Sequence, residues 1–215
     1  REERNVLLRL QGSPYVIRYV DFGWCNDTPY LVTEYLREGR FLKELAPMHP
    51  SYAIDVFKQL ALGLEFIHSC GIIHRDIKDA NVFVRNNGEV VILDFGLSRN
   101  TLRSPRLTLS RLAVFGTPEN MPPEQCVNTV NADEKADIFA TGQMLYWALT
   151  KRHLFPRNIT DTFRVAEKKL EPPDRPPVSG TVSDKLWQII RATMRPVPTY
   201  RPTARELYHL LKACL

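Results

Sequence analysis

The sequence predicts an α+β fold in which a small part that contains β-strands precedes a larger helical part. Residues 2–10 form an amphipathic helix, and two β-like runs follow at 15–21 and 30–34, with turn-forming residues at 26–29 between them. Residues 135–150 are apolar on nearly every side, which predicts a buried helix. Because strands come early and helices dominate afterwards, we expect two stacked lobes.

The other helices are predicted from their apolar stripes and their ends. A long helix is capped by Ser51, and Gly71 ends it, since glycine readily takes the left-handed conformation past a helix end. Its apolar stripe comprises Ala53, Phe57, Leu60, Leu64 and Ile67. Ser183 caps a later helix, and Thr203 with Glu206 forms the capping box of the last one.

A β-hairpin is predicted over residues 82–93, which alternate around Asn87 and Gly88, the strongest short hairpin signal. If these two residues form the turn, Asn81 and Asp94 face each other at the open end, with Cα atoms about 4.5–5.5 Å apart. An amide oxygen and a carboxylate that converge there suit Mg²⁺, which is completed by water and substrate phosphates. The sequence therefore predicts a metal site at this end of the hairpin.

Residues around this hairpin supply further groups for chemistry. Phe83 lies two positions from Asn81, so we expect it on the same face, beneath an aromatic ligand. Asp76 lies just upstream, where a carboxylate can accept the proton of an attacking hydroxyl. Lys78 carries a positive charge that can stabilise a transferring phosphoryl group. Each residue alone has an ordinary structural explanation, and only the combination points to catalysis.

Composition and charge narrow the classes of function. The 215 residues are 44% hydrophobic and 25% charged, as in ordinary globular proteins. The net charge of +5 comes from scattered basic residues, so no nucleic-acid partner is expected. No apolar run reaches the ~20 residues of a membrane helix. Four widely separated cysteines give no zinc-ligand spacing and no disulfide framework, which favours an intracellular location, in the cytoplasm.

The motif His-Arg-Asp-Ile-Lys-x-x-Asn at 74–81, followed by a hairpin and by Asp-Phe-Gly at 94–96, resembles the signature of the eukaryotic-type (Hanks-type) serine/threonine protein kinase catalytic domain. The resemblance implies a bilobal protein-kinase-like fold. A truncated small lobe with an αC-like helix, two strands and the hinge would occupy residues 1–36. A mostly helical large lobe would occupy residues 37–215.

The resemblance implies transfer of the γ-phosphate of ATP to a serine or threonine hydroxyl of a protein substrate, with ATP and Mg²⁺ or Mn²⁺ as cofactors. Asp76 would position and deprotonate the hydroxyl, and Lys78 would stabilise the transferring phosphoryl group. Asn81 and Asp94 would hold the metal. The lysine at 78, together with Thr117, resembles serine/threonine kinases more than tyrosine kinases.

Other positions match the family's binding and supporting residues. Residues 31–36 resemble the hinge that bonds adenine, with Thr33 as gatekeeper, and Glu3 matches the glutamate that pairs with the nucleotide-holding lysine. The implied nucleotide contacts are Glu3, Thr33, Glu34, Leu36 and Phe83. Residues 116–124, which contain Thr117, resemble the substrate-docking segment. The implied supporting residues are Glu124, the arginine that pairs with it, Arg201, and Asp137, which orients the catalytic loop.

Arg75, which precedes Asp76, resembles the arginine of kinases whose activation segment, here 97–116, is ordered by phosphorylation. A phosphate on that segment would pair with Arg75. The candidate phosphorylation sites are Thr101, Ser104, Thr108 and Ser110.

The sequence departs from the family pattern at its start. No Gly-x-Gly-x-x-Gly occurs, and no lysine precedes Lys43, whereas both are expected before Glu3. This predicts a domain that lacks its first strands and that, on its own, binds ATP poorly and turns over little. A pseudokinase or kinase-like scaffold that acts through protein interactions is the alternative. The intact polar residues of the two motifs favour an enzyme.

Overall fold

The computed structural model describes residues 2–101, 120–127, 132–155, 161–171, 173 and 182–214. Predictions about Ser104, Thr108, Ser110 and Thr117 lie outside these residues. The helices of the described chain are α1 (Glu2–Arg9), α2 (Leu42–Leu45), α3 (Pro50–Ser69), α4 (Pro123–Val127), α5 (Lys135–Thr150), α6 (Thr162–Lys168), α7 (Asp184–Thr193) and α8 (Ala204–Lys212). The strands are β1 (Tyr19–Cys25), β2 (Thr28–Thr33), β3 (Gly39–Phe41), β4 (Ile72–Ile73), β5 (Val82–Arg85), β6 (Val90–Ile92) and β7 (Arg99–Asn100).

The strands form three small antiparallel sheets within the described chain. β1 pairs with β2, β4 pairs with β7, and β5 lies between β3 and β6. The first strand begins later than the sequence predicts. Residues 15–18 instead run beside β6, where the Ile17 amide donates to the Ile92 carbonyl at 3.0 Å and the Ile92 amide donates to the Tyr15 carbonyl at 2.8 Å. This pairing uses backbone groups that the predicted strand would have offered to β2.

One continuous cluster of buried apolar side chains joins both ends of the described chain. It contains Leu7 of α1, Phe57 of α3, Phe139 of α5 and Leu207 of α8. Helix α5 is buried along most of its length, as its apolar composition predicts. The predicted boundary between the small lobe (1–36) and the large lobe (37–215) stays a prediction.

The predicted helix ends are confirmed except at the start of α3. Helix α3 begins at Pro50 with His49 as its N-cap, and Ser51 lies inside the first turn. Proline suits the first helical position because its ring fixes φ and no partner is needed for its missing amide hydrogen. Gly71 has φ of 68°, and the side-chain caps predicted for α7 and α8, at Ser183 and Thr203, are present.

The hairpin of β5 and β6 has a different register from the predicted one. Val82 pairs with Ile92, and the Arg85 amide donates to the Glu89 carbonyl at 2.8 Å, so three residues form the turn instead of two. Gln59 of α3 donates to the Gly88 carbonyl at 2.8 Å and accepts from the Val90 amide at 3.3 Å. A side chain from a distant helix thus completes the hydrogen bonding of the turn.

Among the described helices, none is both long enough and apolar enough to cross a membrane.

Candidate active site

The loop of residues 74–81 is anchored by one buried carboxylate. Asp137, near the start of α5, accepts hydrogen bonds from the backbone amides of His74 at 3.0 Å and Arg75 at 2.8 Å. Arg75 has φ of 69°, in the left-handed region that non-glycine residues rarely adopt. The two hydrogen bonds help to hold this unfavourable backbone conformation, a kind of strain that clusters at functional sites.

The charge of Asp137 is stabilised although the residue is only 1% exposed. The His68 Nε2 atom lies 2.8 Å from Oδ2 of Asp137. Burial acts to raise the pKa of Asp137, but the hydrogen bond and positive charge of His68, together with His74, outweigh it. The net effect is a pKa below the ordinary value of 3.8. Asp137 therefore remains a carboxylate that can accept several hydrogen bonds.

His74 connects the 74–81 loop to the strand that leads to Asp94. Its Nε2 lies 2.9 Å from the Leu93 carbonyl, and its Nδ1 lies 3.3 Å from the Asp76 amide. A carbonyl can only accept and an amide N–H can only donate, so the proton of the neutral ring is assigned to Nε2. The ring also packs against Phe95, with 4.8 Å between ring centroids.

Asp76, Lys78 and Asn81 are brought together, as the spacing of the motif implies. The Lys78 ammonium lies 2.5 Å from Oδ2 of Asp76. The Asn81 amide nitrogen donates to the Asp76 carbonyl at 3.0 Å and to Oδ2 at 3.2 Å. Asp76 and Asn81 are each 6% exposed. The carboxylate is thus positioned by two neighbouring side chains at the edge of solvent, where a hydroxyl substrate can reach it.

The turn of residues 94–96 presents an exposed carboxylate beside a buried aromatic ring. Asp94 has φ of 62°, its Oδ1 accepts from the Gly96 amide at 3.2 Å, and the Phe95 ring is buried. A Cβ atom on Gly96 would lie 3.2 Å from Oδ1 of Asp94 and 4.0 Å from Oε2 of Glu3. The absence of a side chain at Gly96 therefore leaves room for both carboxylates.

Glu3 contacts this turn from helix α1. The Phe95 backbone amide is close enough to its carboxylate to act to lower its pKa. Burial raises the pKa of Glu3, and the negative charge of Asp94 raises it further. A cation placed between Glu3 and Asp94 would relieve this repulsion.

The residues present fit a magnesium ion that arrives with a phosphate-bearing ligand. The corrected register pairs Asn81 with Leu93, whose amide donates to the Asn81 carbonyl at 2.9 Å, so the predicted direct pairing with Asp94 is wrong. The Asn81 amide nitrogen is engaged by Asp76, which leaves its amide oxygen to bind a cation. The described chain holds no cluster of three or more histidine, cysteine, aspartate or glutamate residues suited to a metal. Mg²⁺ needs few protein ligands when phosphates and water supply the others.

The predicted nucleotide-contacting residues lie on several elements. Thr33 ends β2, and Glu34 is held by the Arg18 amide at 3.1 Å and by the Arg85 guanidinium at 2.9 Å. Leu36 follows and packs against the main apolar cluster. Phe83 is almost fully buried, and its ring meets Phe41 edge-on, with 5.3 Å between centroids. Asn81 lies in a 3₁₀ turn before β5, so strand alternation does not place Phe83 on its face.

The segment 120–127 is tied to both the 74–81 loop and the end of the chain. The Arg201 guanidinium donates to the two carboxylate oxygens of Glu124, at 2.6 Å and 2.8 Å. The Gln125 amide nitrogen donates to the Arg75 carbonyl at 3.0 Å. The pairing of Arg201 with Glu124, which the resemblance implies, is therefore present in the fold.

Several residues at the site were not predicted from the sequence. Gln125 and Gln59 act through their side-chain amides, and no motif in the sequence marks either residue as part of the site. His68 stands near the end of α3, where a histidine is commonly explained by its favourable interaction with the helix dipole. Its contact with Asp137 depends on how two helices pack. Among the predicted sites, Thr101 is exposed, and its hydroxyl donates to the Gly71 carbonyl at 2.9 Å.

A pocket of about 70 Å³ lies next to Lys78. It is lined by polar, apolar and aromatic residues from the 74–81 loop, the start of the segment 120–127, α5 and the residues that follow α5. They include Asp79, Asn120, Gln143, Trp147, His153 and Phe155. Lys78 thus contacts the Asp76 carboxylate and also lines this pocket.

Comparison with known proteins assigns the family. The family model described as a protein kinase domain matches residues 1–210. The serine/threonine-protein kinase pkn2 of Myxococcus xanthus is 38% identical over 74% of this chain and 20% of its own length. The mitogen-activated protein kinase kinase kinase ANP1 of Arabidopsis thaliana is 30% identical over 96% of this chain and 31% of its own length. The serine/threonine-protein kinase PkaA of Streptomyces coelicolor is 33% identical over 95% of this chain and 37% of its own length.

The chain thus spans well under half the length of each of these relatives. The family match extends over nearly all of its residues and includes both motifs and the helices that support them. The two bacterial relatives named above are serine/threonine-protein kinases, and the plant relative is a mitogen-activated protein kinase kinase kinase. On these grounds the chain belongs to the protein kinase domain family.

Proposed function

We propose that this domain transfers the γ-phosphate of ATP to a serine or threonine hydroxyl of a protein substrate. The observation that carries the proposal is the arrangement around Asp76. Its carboxylate is only slightly exposed and is oriented by Lys78 at 2.5 Å and by Asn81 at 3.2 Å. A carboxylate held this firmly at the edge of solvent is suited to receive a proton from a substrate hydroxyl.

In the proposed reaction, Asp76 orients the acceptor hydroxyl and takes its proton. The hydroxyl oxygen forms a bond to the γ-phosphorus while the bond from that phosphorus to the departing ADP oxygen breaks. Lys78 stabilises negative charge on the transferring group, because its ammonium lies beside the carboxylate that receives the proton. Asp137 contributes by holding the backbone of His74 and Arg75, which fixes the direction of Asp76.

We propose Asn81 and Asp94 as ligands for Mg²⁺ or Mn²⁺. A divalent cation neutralises phosphate charge during phosphoryl transfer. Glu3, Thr33, Glu34 and Leu36 are proposed to contact the nucleotide. Burial and Asp94 both disfavour the negative charge of Glu3 and raise its pKa, so a nearby cation would stabilise the Glu3 carboxylate.

We also propose that phosphorylation of the 97–116 segment regulates the domain. Within the described chain, Nε and Nη2 of Arg75 are buried and have no hydrogen-bond partner. Burial lowers the pKa of Arg75 to about 10, and the positive charge of Arg99 contributes to the same shift. A phosphate would satisfy the buried nitrogens and neutralise both cations. The proposed sites are Thr101, Ser104, Thr108 and Ser110.

Phosphopeptide mass spectrometry of the active protein tests this regulation. We expect at least one phosphate within 97–116, and full activity with an unmodified segment would reject this regulation.

A further proposal is an intracellular location, in the cytoplasm. It is supported by four cysteines that are all free thiols.

The catalytic proposal is tested by measuring transfer of radiolabelled γ-phosphate with the full-length protein and its Asp76→Asn variant. We expect phosphorylated acceptor with the wild type and almost none with the variant. Equal phosphate transfer by both proteins would reject the assignment of Asp76. No transfer by the folded wild type would leave a scaffold role for the domain.

A further inference from the structure

Lys169 is a buried lysine that follows helix α6 and that no part of the kinase motif explains. Its exposed fraction is 0%. Lysine side chains are almost never fully buried without a partner, because transfer of an ammonium group out of water is costly. The cost of burying the Lys169 ammonium group must therefore be offset by contacts within the protein. Those contacts identify the parts of the fold that Lys169 joins.

Among the described residues, the ammonium group of Lys169 contacts a backbone carbonyl and the faces of two aromatic rings. Nζ donates to the backbone carbonyl of Met121 at 2.6 Å. It also lies 5.7 Å from the ring centroid of Phe139 and 5.3 Å from that of Phe155. These two rings are stacked, with 6.3 Å between their centroids and an angle of 15° between their planes. Contacts of a cation with ring faces at this range are favourable and gain strength out of water.

The carbonyl that Lys169 binds belongs to the segment 120–127, which faces the catalytic candidates. The neighbouring Asn120 carbonyl accepts from the Gln143 amide at 3.0 Å. Further along, Gln125 donates to the Arg75 carbonyl at 3.0 Å, one residue before Asp76. Lys169 thus fixes one end of a short segment whose other end is bonded to the 74–81 loop.

Lys169 also contacts one residue that lines the pocket beside Lys78 and the neighbour of another. Asn120 and Phe155 line that pocket. Lys169 lies against the Phe155 ring and binds the carbonyl of Met121, the residue next to Asn120. Loss of the ammonium group would remove the link between the Met121 carbonyl and the Phe155 ring, while the contacts of Asp76 with Lys78 and Asn81 would remain.

We propose that Lys169 is a positioning residue for the protein substrate: it holds the segment 120–127 and Phe155 in the arrangement that receives the chain around the acceptor hydroxyl. This inference rests on the proposed kinase function. It assigns Lys169 to binding of the acceptor and not to binding of ATP, because Lys169 contacts Phe155, which lines the pocket beside Lys78, and Met121, the residue next to Asn120 of the same pocket.

The test compares Lys169→Met and Lys169→Arg with the matched control Lys168→Met in the full-length protein. Methionine matches the length of lysine and needs no polar partner, so the variant is expected to fold. Arginine keeps the charge and a donor. Lys168 precedes Lys169 and is exposed, so its replacement removes one positive charge and leaves the buried contacts of Lys169 intact.

The acceptor is the best substrate peptide that the wild type selects from a randomised serine/threonine peptide library. We expect Lys169→Met to raise the KM for this peptide by about tenfold, the scale of one lost charge-assisted hydrogen bond. The KM for ATP should stay within about twofold of the wild-type value, a change too small to indicate a lost contact. Lys169→Arg should recover part of the acceptor KM, and Lys168→Met should match the wild type. An unchanged acceptor KM, or equal rises for acceptor and ATP, would overturn the proposal.

Hydrogen–deuterium exchange supplies a readout that needs no turnover. The amides of 120–127 should exchange faster in Lys169→Met than in the wild type or Lys168→Met, while those of α3 stay unchanged. Unchanged exchange at 120–127 would overturn the anchoring role whatever the activity. An inactive but folded wild type would instead overturn the proposed kinase function, and with it the acceptor role, while exchange would still report on the anchoring contact.

Discussion

Arg201 and Glu124, 77 residues apart in the sequence, form a bidentate ion pair with N–O distances of 2.6 Å and 2.8 Å. The Arg201 side chain is 0% exposed, and its guanidinium also donates to the carbonyls of Arg195, Pro196 and Lys135. The pair therefore joins the segment 120–127 to the start of α5 and to the loop before α8. It stabilises the framework on which the site is built.

Replacement of Arg201 by alanine is expected to destabilise the domain by about 3–5 kcal/mol, since it leaves Glu124 and several carbonyls without their partner. Urea denaturation of the purified protein measures this change. The control is Arg205→Ala, whose ion pair with Glu65 is exposed and 3.5 Å long. Its effect should stay below about 1 kcal/mol. Similar losses for both variants would contradict a special role for the buried pair.

Replacement of Asp76 by asparagine should lower kcat by about 10²–10⁴-fold, the usual contribution of a positioned general base. Binding of an ATP analogue should change little, because Asp76 contacts the acceptor in the proposed reaction. Steady-state kinetics and calorimetric titration measure the two effects. Asp55→Asn, on the exposed side of α3, is the matched control and should retain full activity. A parallel loss of nucleotide binding would argue that Asp76 acts on the nucleotide.

Replacement of Asp94 by asparagine should raise the Mg²⁺ concentration needed for half-maximal activity by more than about tenfold, because a charged oxygen ligand is lost. The measurement is a Mg²⁺ titration of phosphate transfer at fixed ATP. Glu89→Gln changes an exposed carboxylate on the β5–β6 hairpin and should leave the titration unchanged. An identical Mg²⁺ requirement in Asp94→Asn would reject Asp94 as a metal ligand.

The lowered pKa of Asp137 predicts a loss of stability in acid. A carboxylate whose folded-state pKa lies below its unfolded value stabilises the fold above the unfolded pKa. That contribution is lost as the pH falls through the folded pKa. His68→Gln removes the imidazole whose hydrogen bond, and then whose charge, most lower the pKa of Asp137, so stability above pH 3.8 should fall by roughly 1.5–3 kcal/mol, the contribution of a hydrogen bond to a charged group.

Denaturant unfolding between pH 2 and pH 7 tests this prediction, and the difference between wild type and His68→Gln should shrink toward the acid end. His49→Gln is the control, because His49 is on the surface and bonds to Ser51. A difference that is constant across the whole pH range would show that His68 stabilises the fold without acting through the charge of Asp137.

Local sequence signals predicted much of the secondary structure, and they failed at the turn of the β5–β6 hairpin and at the start of α3. The capping residues Ser183 and Thr203 act within one turn of their helices, and both predictions are confirmed. The predicted hairpin turn was wrong by one residue, and the observed turn is bonded at Gly88 and Val90 by Gln59 of α3, a contact that the local pattern does not contain. The cap of α3 was wrong for a local reason, since Pro50 suits the first helical position better than Ser51.

The sequence by itself determined the family, because Asp76, Lys78, Asn81 and Asp94 stand at fixed spacing around a short hairpin and that spacing can be read without a structure. Only the tertiary structure decided how these residues are supported. The contacts of Asp137 with His68, and of Lys169 with Met121, join elements far apart in the chain. A buried charge is stable only where the packing of separate elements supplies partners, so such contacts have no signature in the local pattern.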